Sequence, residues 1–352
     1  MSRNIVCYQM VAPGKPLERA DRELAAPGAG ELLVEVAGCG ICHTDLSFLS
    51  GQVRTNRPLP LVLGHEVSGT VVEAGSGCDS WVGQAVIVPA VLPCGDCALC
   101  KGGRANACRS QKMPGNDIDG GFATHMLVPA RSAVRVGGAI EGHELWELAV
   151  VADAVTTPYQ AAVRAGLRPG DVAVFVGLGG VGGFGVQIAS ALGATVFGVD
   201  VDSEKLRRLA SHGLFRGFDA RELDARAVKA ELVKECKQRG LPALGWKIFE
   251  TSGTTAGQET AFSLLTHTGT LAIVGFTGEK VTLRLSNLMA LDATAFGNWG
   301  CDPAHYPAAL ELLRAGKVTA RPFVRRYRLD QVNEAIEAVS SHQISERPVL
   351  VP

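Results

Sequence analysis

The spacing of apolar, glycine and proline residues divides the chain into two kinds of pattern. From Glu31 to about Val136, short apolar runs alternate with turn-forming residues, and the runs 31–36, 67–73 and 84–88 predict strands. Glycine and proline separate these runs, as at Gly83. This pattern is typical of an all-β, barrel-like domain.

Near residue 150 the pattern changes to strands that alternate with helices. The predicted helices are 151–165, 181–192, 203–212, 306–315 and 331–340, and the predicted strands are 171–176, 195–200, 246–250, 270–274 and 348–351. Strands that alternate with helices indicate βαβ units and a parallel sheet. The apolar stretches 281–285 and 291–296 fit either interface strands or buried core.

Composition limits the class of protein. The chain has 352 residues, 47% of them apolar and 20% charged, with a formal net charge of −1. This size predicts two domains, and the balanced charge gives no reason to expect a nucleic acid or an anionic membrane as partner. The first residues do not resemble a signal peptide, and the apolar runs are too short to cross a bilayer. We therefore expect a cytoplasmic protein.

Four closely spaced cysteines form the most specific local motif. Cys94, Cys97, Cys100 and Cys108 follow the spacing C-x2-C-x2-C-x7-C. Four thiolates can complete the tetrahedral shell of a zinc ion, which leaves no open position and predicts a structural site. An iron–sulfur cluster or a set of redox cysteines is the alternative, because such sites also use CxxC spacing.

A second group of metal-binding side chains is spread along the chain. Cys42 follows a predicted strand, His65 lies in a Gly-His-Glu motif, and Asp153 lies upstream of the glycine-rich segment. One thiolate, one imidazole and one carboxylate would leave the fourth position of a zinc ion open, as catalytic zinc requires. Taken alone, each residue has an ordinary structural explanation, such as a helix cap for Asp153. The joint pattern carries the prediction.

A glycine-rich motif predicts a nucleotide site. Gly177, Gly179, Gly180, Val181 and Gly182 belong to a GxGxxG sequence that follows a predicted strand and opens a predicted helix. Such glycines allow pyrophosphate to approach the helix N-terminus.

An acidic residue after the next strand predicts which nucleotide binds. Asp200 comes eighteen residues after Gly182, at the end of that strand. A carboxylate there binds ribose hydroxyls and repels a 2′-phosphate, so NAD is favoured over NADP. Asp202 is the neighbouring alternative, but the position of Asp200 at the end of the strand and its distance from the glycine motif favour Asp200.

The order of these motifs resembles that of the zinc-containing medium-chain dehydrogenase/reductase family. GCGICHTD, GHE, the four cysteines, GLGGVG and GVD occur in the family's order over nearly the whole chain. The resemblance implies an α/β protein with a GroES-like β-barrel catalytic domain (1–152 and 297–352) and a doubly wound Rossmann NAD-binding domain (153–296). It also implies two zinc ions per chain, NAD as cofactor, and a homodimer or homotetramer.

The resemblance implies roles for the residues around the open zinc site. Cys42, His65 and Asp153 match the catalytic zinc ligands, with Asp153 in place of the commoner cysteine. Glu66 matches a carboxylate that sometimes coordinates the metal directly, and Asp45 matches a partner of the histidine ligand.

The resemblance also implies proton-handling and cofactor-binding residues. Thr44 matches the hydroxyl that hydrogen-bonds the substrate oxygen, whereas Ser47 stands where some members have the histidine that ends a proton relay. Further matched contacts to the cofactor are His43, Thr157, Lys205, Val274 and Arg347.

The expected reaction is the zinc-dependent, NAD-linked oxidation of a secondary alcohol to a ketone. Within the family, the chain most resembles members that act on a cyclic hydroxyacyl-CoA thioester. Arg54 and Arg57 could bind the CoA phosphates, or they could be solvated loop charges. Alternative functions are the oxidation of a polyol, sugar or simple secondary alcohol, the reduction of an enone C=C bond, and a role as an inactive copy.

Overall fold

The computed structural model describes residues 2–341 and 343–352. The chain forms two compact units: Met1–Thr156, Gly300–Arg314 and Thr319–Pro352 make up the first, and Thr157–Trp299 and Ala315–Val318 the second. The observed divisions follow residues 156 and 299, whereas the sequence placed them after residues 152 and 296. Asp153 therefore belongs to the first unit.

The described residues form the following helices and strands. The strands are β1 (Arg3–Met10), β2 (Glu18–Leu24), β3 (Glu31–Gly40), β4 (Leu61–Val62), β5 (Glu66–Ala74), β6 (Ala85–Val88), β7 (His125–Pro129), β8 (Val134–Arg135), β9 (Val172–Val176), β10 (Thr195–Asp200), β11 (Leu214–Asp219), β12 (Lys247–Glu250), β13 (Thr270–Ile273), β14 (Thr294–Gly297), β15 (Val324–Arg328) and β16 (Arg347–Val351). The helices are α1 (His43–Leu49), α2 (Ala98–Lys101), α3 (Thr156–Arg164), α4 (Gly180–Ala191), α5 (Ser203–Ala210), α6 (Ala225–Arg239), α7 (Thr255–Ser263), α8 (Ser286–Ala290), α9 (Tyr306–Arg314) and α10 (Val332–Ser340).

The first unit is built from two sheets. The smaller sheet has the order β2-β1-β4, and the larger has the order β15-β16-β3-β5-β6-β8 with β7 paired to β3. Alternating residues of β3 and β5, among them Leu32, Val34, Val67 and Val71, are fully buried in one core with Phe122. The strands predicted in this part of the chain are confirmed, but the unit is not all-β, because it also contains α1, α2, α9 and α10.

The second unit contains one parallel sheet of order β11-β10-β9-β12-β13-β14. This is the doubly wound order 3-2-1-4-5-6 of Rossmann domains. All five residues of β9 are buried, and its Phe175 stacks on Phe249 of β12 with ring centroids 4.6 Å apart. The order of strands reverses between β9 and β12, so the carboxyl ends of these two strands border the expected ligand crevice.

The helix predicted at 151–165 begins later in the structure. Leu145–Ala152 is a 3₁₀ segment, and α3 starts at Thr156. Between them, Asp153 has φ −145° and ψ −63°, which lies outside the helical region. The break directs the Asp153 side chain toward His65 instead of along a helix surface.

The two apolar stretches after residue 280 do not form core strands. Residues 281–285 lie outside any helix or strand, and the residues of β14 are mostly exposed. In the part of the chain that the structure describes, helices are too short or too polar to span a bilayer.

Candidate metal and nucleotide sites

The four motif cysteines converge on one point. The Sγ atoms of Cys94 and Cys108 lie 3.5 Å apart, as do those of Cys97 and Cys100. The Cys94–Cys100 and Cys97–Cys108 pairs lie 3.9 and 3.8 Å apart. With Zn–S bonds of about 2.3 Å, the edge of a tetrahedral site is about 3.8 Å, so the four thiols fit a single zinc ion. An iron–sulfur cluster, whose cysteines bind different iron atoms, would require wider separations.

Without a bound cation, the thiols of this cysteine lobe, residues 94–108, differ in their pKa. Hydrogen bonds from the backbone N–H groups of Asp96 and Cys97 lower the pKa of Cys94 to about 6. Partial burial, with the neighbouring thiols, raises the pKa of Cys100 to about 12. A divalent cation would allow all four groups to ionise together, so metal binding should release protons.

The second metal group lies where three segments of the first unit meet. Cys42 follows β3 and caps α1, His65 and Glu66 stand at the start of β5, and Asp153 follows the 3₁₀ segment. Asp153 Oδ2 lies 3.9 Å from Cys42 Sγ and 3.8 Å from His65 Nε2. Ligands of a four-coordinate zinc are separated by about 3.4–3.8 Å, so these three side chains fit one.

Glu66 lies close to these three side chains. One ligand atom from each of Cys42, His65, Glu66 and Asp153 falls within 4.8 Å of the others. Within residues 2–341 and 343–352, this group and the cysteine lobe are the sets of His, Cys, Asp and Glu side chains that could hold a metal ion. The mixed sulfur, nitrogen and oxygen donors suit zinc.

Asp45 lies next to His65, on the side away from Asp153. This fully buried carboxylate accepts hydrogen bonds from the backbone N–H groups of Cys42 (2.9 Å) and Gly64 (3.2 Å). Its Oδ1 also lies 3.4 Å from His65 Nδ1, and the other ring nitrogen of His65, Nε2, faces Asp153. Burial alone would lower the pKa of His65, but the carboxylates of Asp45 and Asp153 raise it well above its ordinary value. A metal cation at Nε2 would replace that proton.

Arg347 pairs with Glu66 beside the metal ligands. Its Nε donates to Glu66 Oε2 at 2.9 Å, a second contact joins Nη2 to Oε1, and Nη2 lies 3.9 Å from Asp153 Oδ2. Both residues are buried. Gly40 makes room for the pair, because a Cβ there would collide with the Glu66 carboxylate. The pyrophosphate contact implied for Arg347 stays a prediction, and nothing local in the sequence indicated its pairing with Glu66.

The predicted proton-handling residues lie at the start of α1. Thr44 Oγ1 is 3.8 Å from Cys42 Sγ, which places this half-buried hydroxyl next to the metal ligands. His43 is exposed. Ser47 donates to the His43 carbonyl at 3.0 Å, so its hydroxyl is bonded to the helix backbone.

The glycine-rich motif forms the turn from β9 into α4. Gly177 has φ +89°, and a Cβ there would collide with the Ser252 backbone, so only glycine fits. Gly179 caps α4, which begins at Gly180, and a Cβ on Gly182 would collide with the Gly177 carbonyl. The structure therefore has the strand, tight turn and helix start that a pyrophosphate site needs.

Asp200 and Asp202 have different positions next to this turn. Asp200 ends β10, and its carboxylate accepts from the backbone N–H groups of Leu178 (2.5 Å) and Asp202 (2.8 Å). Asp202 caps α5 and lies 3.9 Å from Lys205 Nζ. Asp200 therefore holds the strand-end position, and its contact to the ribose stays a prediction, whereas Asp202 caps α5.

Two further predicted cofactor contacts lie in the second unit. Thr157 is buried, and its carbonyl accepts from Asn298 Nδ2 at 3.2 Å. Val274 follows β13 directly, and its N–H donates to the Glu250 carbonyl at 2.9 Å. Their contact to the nicotinamide stays a prediction.

Comparison with known proteins shows the family of the chain. Residues 28–138 match the family described as alcohol dehydrogenase GroES-like domain, and residues 180–315 match the one described as zinc-binding dehydrogenase. The chain belongs to the zinc-binding alcohol dehydrogenase family. Members are oxidoreductases that act on CH–OH groups with NAD(P), and the two metal groups correspond to a structural and a catalytic zinc site.

Individual relatives cover almost the whole chain. An alcohol dehydrogenase of Geobacillus stearothermophilus is 29% identical over 96% of both chains. An NAD-dependent alcohol dehydrogenase of Sulfolobus acidocaldarius is also 29% identical, again over 96% of both. The crystal structure of the alcohol dehydrogenase from Aeropyrum pernix has a TM-score of 0.87 and 29% identity, covering 99% of this chain and 100% of that one.

The cysteine lobe predicts a defined change in metal content. Cys97→Ser should reduce the zinc content from two ions per chain to one, because the tetrahedral site loses a thiolate ligand. Elemental analysis of the purified protein measures this. Cys78→Ser, at a buried cysteine outside both metal groups, is the control and should retain two. Equal zinc content in both variants would contradict the assignment.

Asp200 predicts a change in nucleotide preference. Asp200→Ser should raise kcat/KM with NADP relative to NAD by about tenfold or more, because the repulsion of a 2′-phosphate by the carboxylate is removed. Steady-state kinetics with both nucleotides measure the ratio. Asp202→Asn keeps a helix-capping side chain and should leave the ratio unchanged. If Asp202→Asn shifted the ratio instead, the ribose contact would belong to Asp202.

Proposed function

We propose that the protein oxidises a secondary alcohol to a ketone with NAD, and that the alcohol is 6-hydroxycyclohex-1-ene-1-carbonyl-CoA. The product would be the 6-oxo thioester, within anaerobic benzoyl-CoA degradation. The observation that carries the reaction type is the three-ligand group of Cys42, His65 and Asp153 beside the Thr44 hydroxyl. The Glu66 carboxylate accepts a hydrogen bond from Arg347, which supports the proposal that the fourth coordination position of the zinc ion is open to substrate.

The protein residues hold the reacting groups and handle the proton. Zinc held by this site would supply Lewis-acid polarisation of the alcohol, and bound NAD would supply the hydride acceptor. Thr44 accepts or shares the alcohol proton, since its hydroxyl is next to the ligands and half-buried. The Ser47 hydroxyl is bonded to the helix backbone, so we assign the alcohol proton to Thr44 rather than to Ser47.

The CoA thioester rests on the family resemblance and on one exposed arginine. Arg57 lies 3.2 Å from Asp119, which also pairs with Arg22 at 3.2 Å, so its charge is partly neutralised. Arg54 is exposed in the loop after α1. Arg54 is therefore the better candidate for a CoA phosphate.

A polyol or sugar is the second candidate substrate. Relatives named D-arabinose 1-dehydrogenase (NADP(+)) and sorbitol dehydrogenase are 27% and 26% identical to the chain. Such a substrate would need no phosphate-binding arginine. Reduction of an enone C=C bond would use the same metal group. Product analysis after reaction with the enone distinguishes this activity from alcohol oxidation.

A spectrophotometric NAD-reduction screen tests the proposal. The cyclic hydroxyacyl-CoA should be oxidised to the ketone, whereas free cyclic alcohols, sorbitol and D-arabinose should react poorly. Arg54→Ala should raise KM for the thioester about fivefold, as expected for loss of an exposed ion pair of about 1 kcal/mol. Cys42→Ser should lose turnover with every substrate.

Controls separate the substrate from the reaction type. Arg226→Ala, at an exposed arginine of the second unit, should leave the thioester KM unchanged. Oxidation of sorbitol or D-arabinose with no reaction of the thioester would replace the first substrate with the second. Full turnover by Cys42→Ser loaded with zinc would contradict the catalytic site itself.

We also propose that the second unit joins copies of the chain into a homodimer or homotetramer. Its β14 is an edge strand, and the nearby Leu285, Met289 and Trp299 are more than half exposed. A second copy could pair with this edge and cover these side chains. The ten free cysteines support a reducing, cytoplasmic location.

The edge of β14 predicts the effect of a proline. The N–H groups of Thr294 and Asn298 point to β13, so by strand alternation that of Ala295 points to the open edge. Ala295→Pro should therefore convert the oligomer to monomers without removing a bond to β13. Light scattering after size-exclusion chromatography measures this, with Val82→Glu in the first unit as control. An unchanged mass for Ala295→Pro would rule out this edge as the interface.

A further inference from the structure

The segment Cys301–Tyr306 of the first unit contacts the cysteine lobe at one end. Asp302 is buried, and its Oδ2 accepts a hydrogen bond from the backbone N–H of Ala105 at 2.9 Å. Ala105 lies in the lobe, between Cys100 and Cys108. The other oxygen, Oδ1, accepts from the Ala304 N–H at 3.0 Å and caps the turn that leads into α9. One carboxylate therefore joins the lobe to the start of a helix.

The other end of the segment contacts the backbone of a catalytic ligand. Tyr306 is fully buried, and its hydroxyl donates to the carbonyl of Ala152. Burial raises the pKa of Tyr306 well above its ordinary value, so the hydroxyl stays protonated and can donate. Ala152 directly precedes Asp153, and the backbone N–H of Ala90 donates to the same carbonyl at 3.3 Å.

These contacts hold the break in the chain that presents Asp153. The 3₁₀ segment ends at Ala152, so its last carbonyls need other partners. Thr156 Oγ1 donates to the Val151 carbonyl at 2.9 Å, and the Tyr306 hydroxyl donates to the Ala152 carbonyl. The peptide plane between Ala152 and Asp153 sets the direction of the Asp153 side chain, so a bond to this carbonyl orients the ligand.

We propose that Asp302 and Tyr306 are positioning residues that couple the cysteine lobe to the catalytic metal group through the Ala152–Asp153 peptide. The two residues are one helical turn apart in the segment, so a shift of the lobe at Ala105 is passed to the Tyr306 hydroxyl. A filled lobe holds Asp153 in its ligand position, and an empty lobe weakens catalytic metal binding. The inference rests on the zinc site of the proposed function.

Zinc release from the purified, zinc-loaded protein tests this coupling. A chromogenic chelator in excess reports two release phases, and Cys97→Ser identifies the lobe phase by its absence. Tyr306→Phe should accelerate release from the catalytic group about tenfold, the size of effect typical for partners of metal ligands, and leave the lobe phase unchanged. Tyr8→Phe, at a buried tyrosine of β1 in the same unit, should change neither phase.

The coupling itself is tested by combining variants. Cys97→Ser alone should also accelerate release from the catalytic group, and the Cys97→Ser/Tyr306→Phe double variant should release no faster than the faster single variant, because both changes act through one link. Asp302→Asn is the milder variant should a single change prevent folding, and it should accelerate the catalytic phase several-fold. Multiplying effects in the double variant, or catalytic release in Tyr306→Phe equal to that in Tyr8→Phe, would overturn the proposal.

The same measurement separates this proposal from the proposed function. Two zinc ions per chain with a catalytic phase insensitive to Tyr306→Phe would refute only the coupling. A wild-type protein that releases a single zinc ion, from the lobe, would refute the catalytic site and with it the function.

Discussion

The buried ion pair between Glu66 and Arg347 is the interaction on which the catalytic group depends. Glu66 opens β5 and Arg347 opens β16, and β3 lies between these strands and ends just before Cys42. The pair thus ties the C-terminal strand to the metal ligands. Removing one partner of a buried pair leaves an uncompensated charge, which typically costs about 3–5 kcal/mol. Because Arg347 also lies 3.9 Å from Asp153, its positive charge balances two carboxylates.

Electrostatic balance explains the rest of this group. Cys42, Asp45, Glu66 and Asp153 supply an excess of negative or ionisable groups around one arginine and one histidine. Burying these groups together is unfavourable unless a cation or added protons balance the negative charge. The pKa of His65 is raised for the same reason, because nearby carboxylates favour its protonated form. The cysteine lobe contains no carboxylate or imidazole ligand, and its thiols influence one another: the pKa of Cys94 is lowered and that of Cys100 is raised. A divalent cation would stabilise both groups by replacing these protons.

Local patterns predicted about half of the strands and helices. The strand predicted at 195–200 matches β10, and the helix predicted at 181–192 matches α4 within one residue. Buried strands and glycine-rich turns give strong local patterns, so these predictions succeeded. The edge strand β15 and the break at Asp153 gave no such pattern. Partners distant in the sequence, including Arg347 and Tyr306, decide the conformation at that break.

The sequence by itself determined the four thiols of the cysteine lobe and the glycine turn, because each depends on residue types at short spacings. The donors of the second metal group are up to 111 positions apart, so the sequence indicated them only through their joint pattern and the family resemblance. It also determined the acidic strand end, Asp200. Only the tertiary structure decided that Glu66 pairs with Arg347 and that Tyr306 holds the Ala152 carbonyl. These contacts join residues separated by 281 and 154 positions, and no local pattern encodes them, since sheet order and packing bring such residues together.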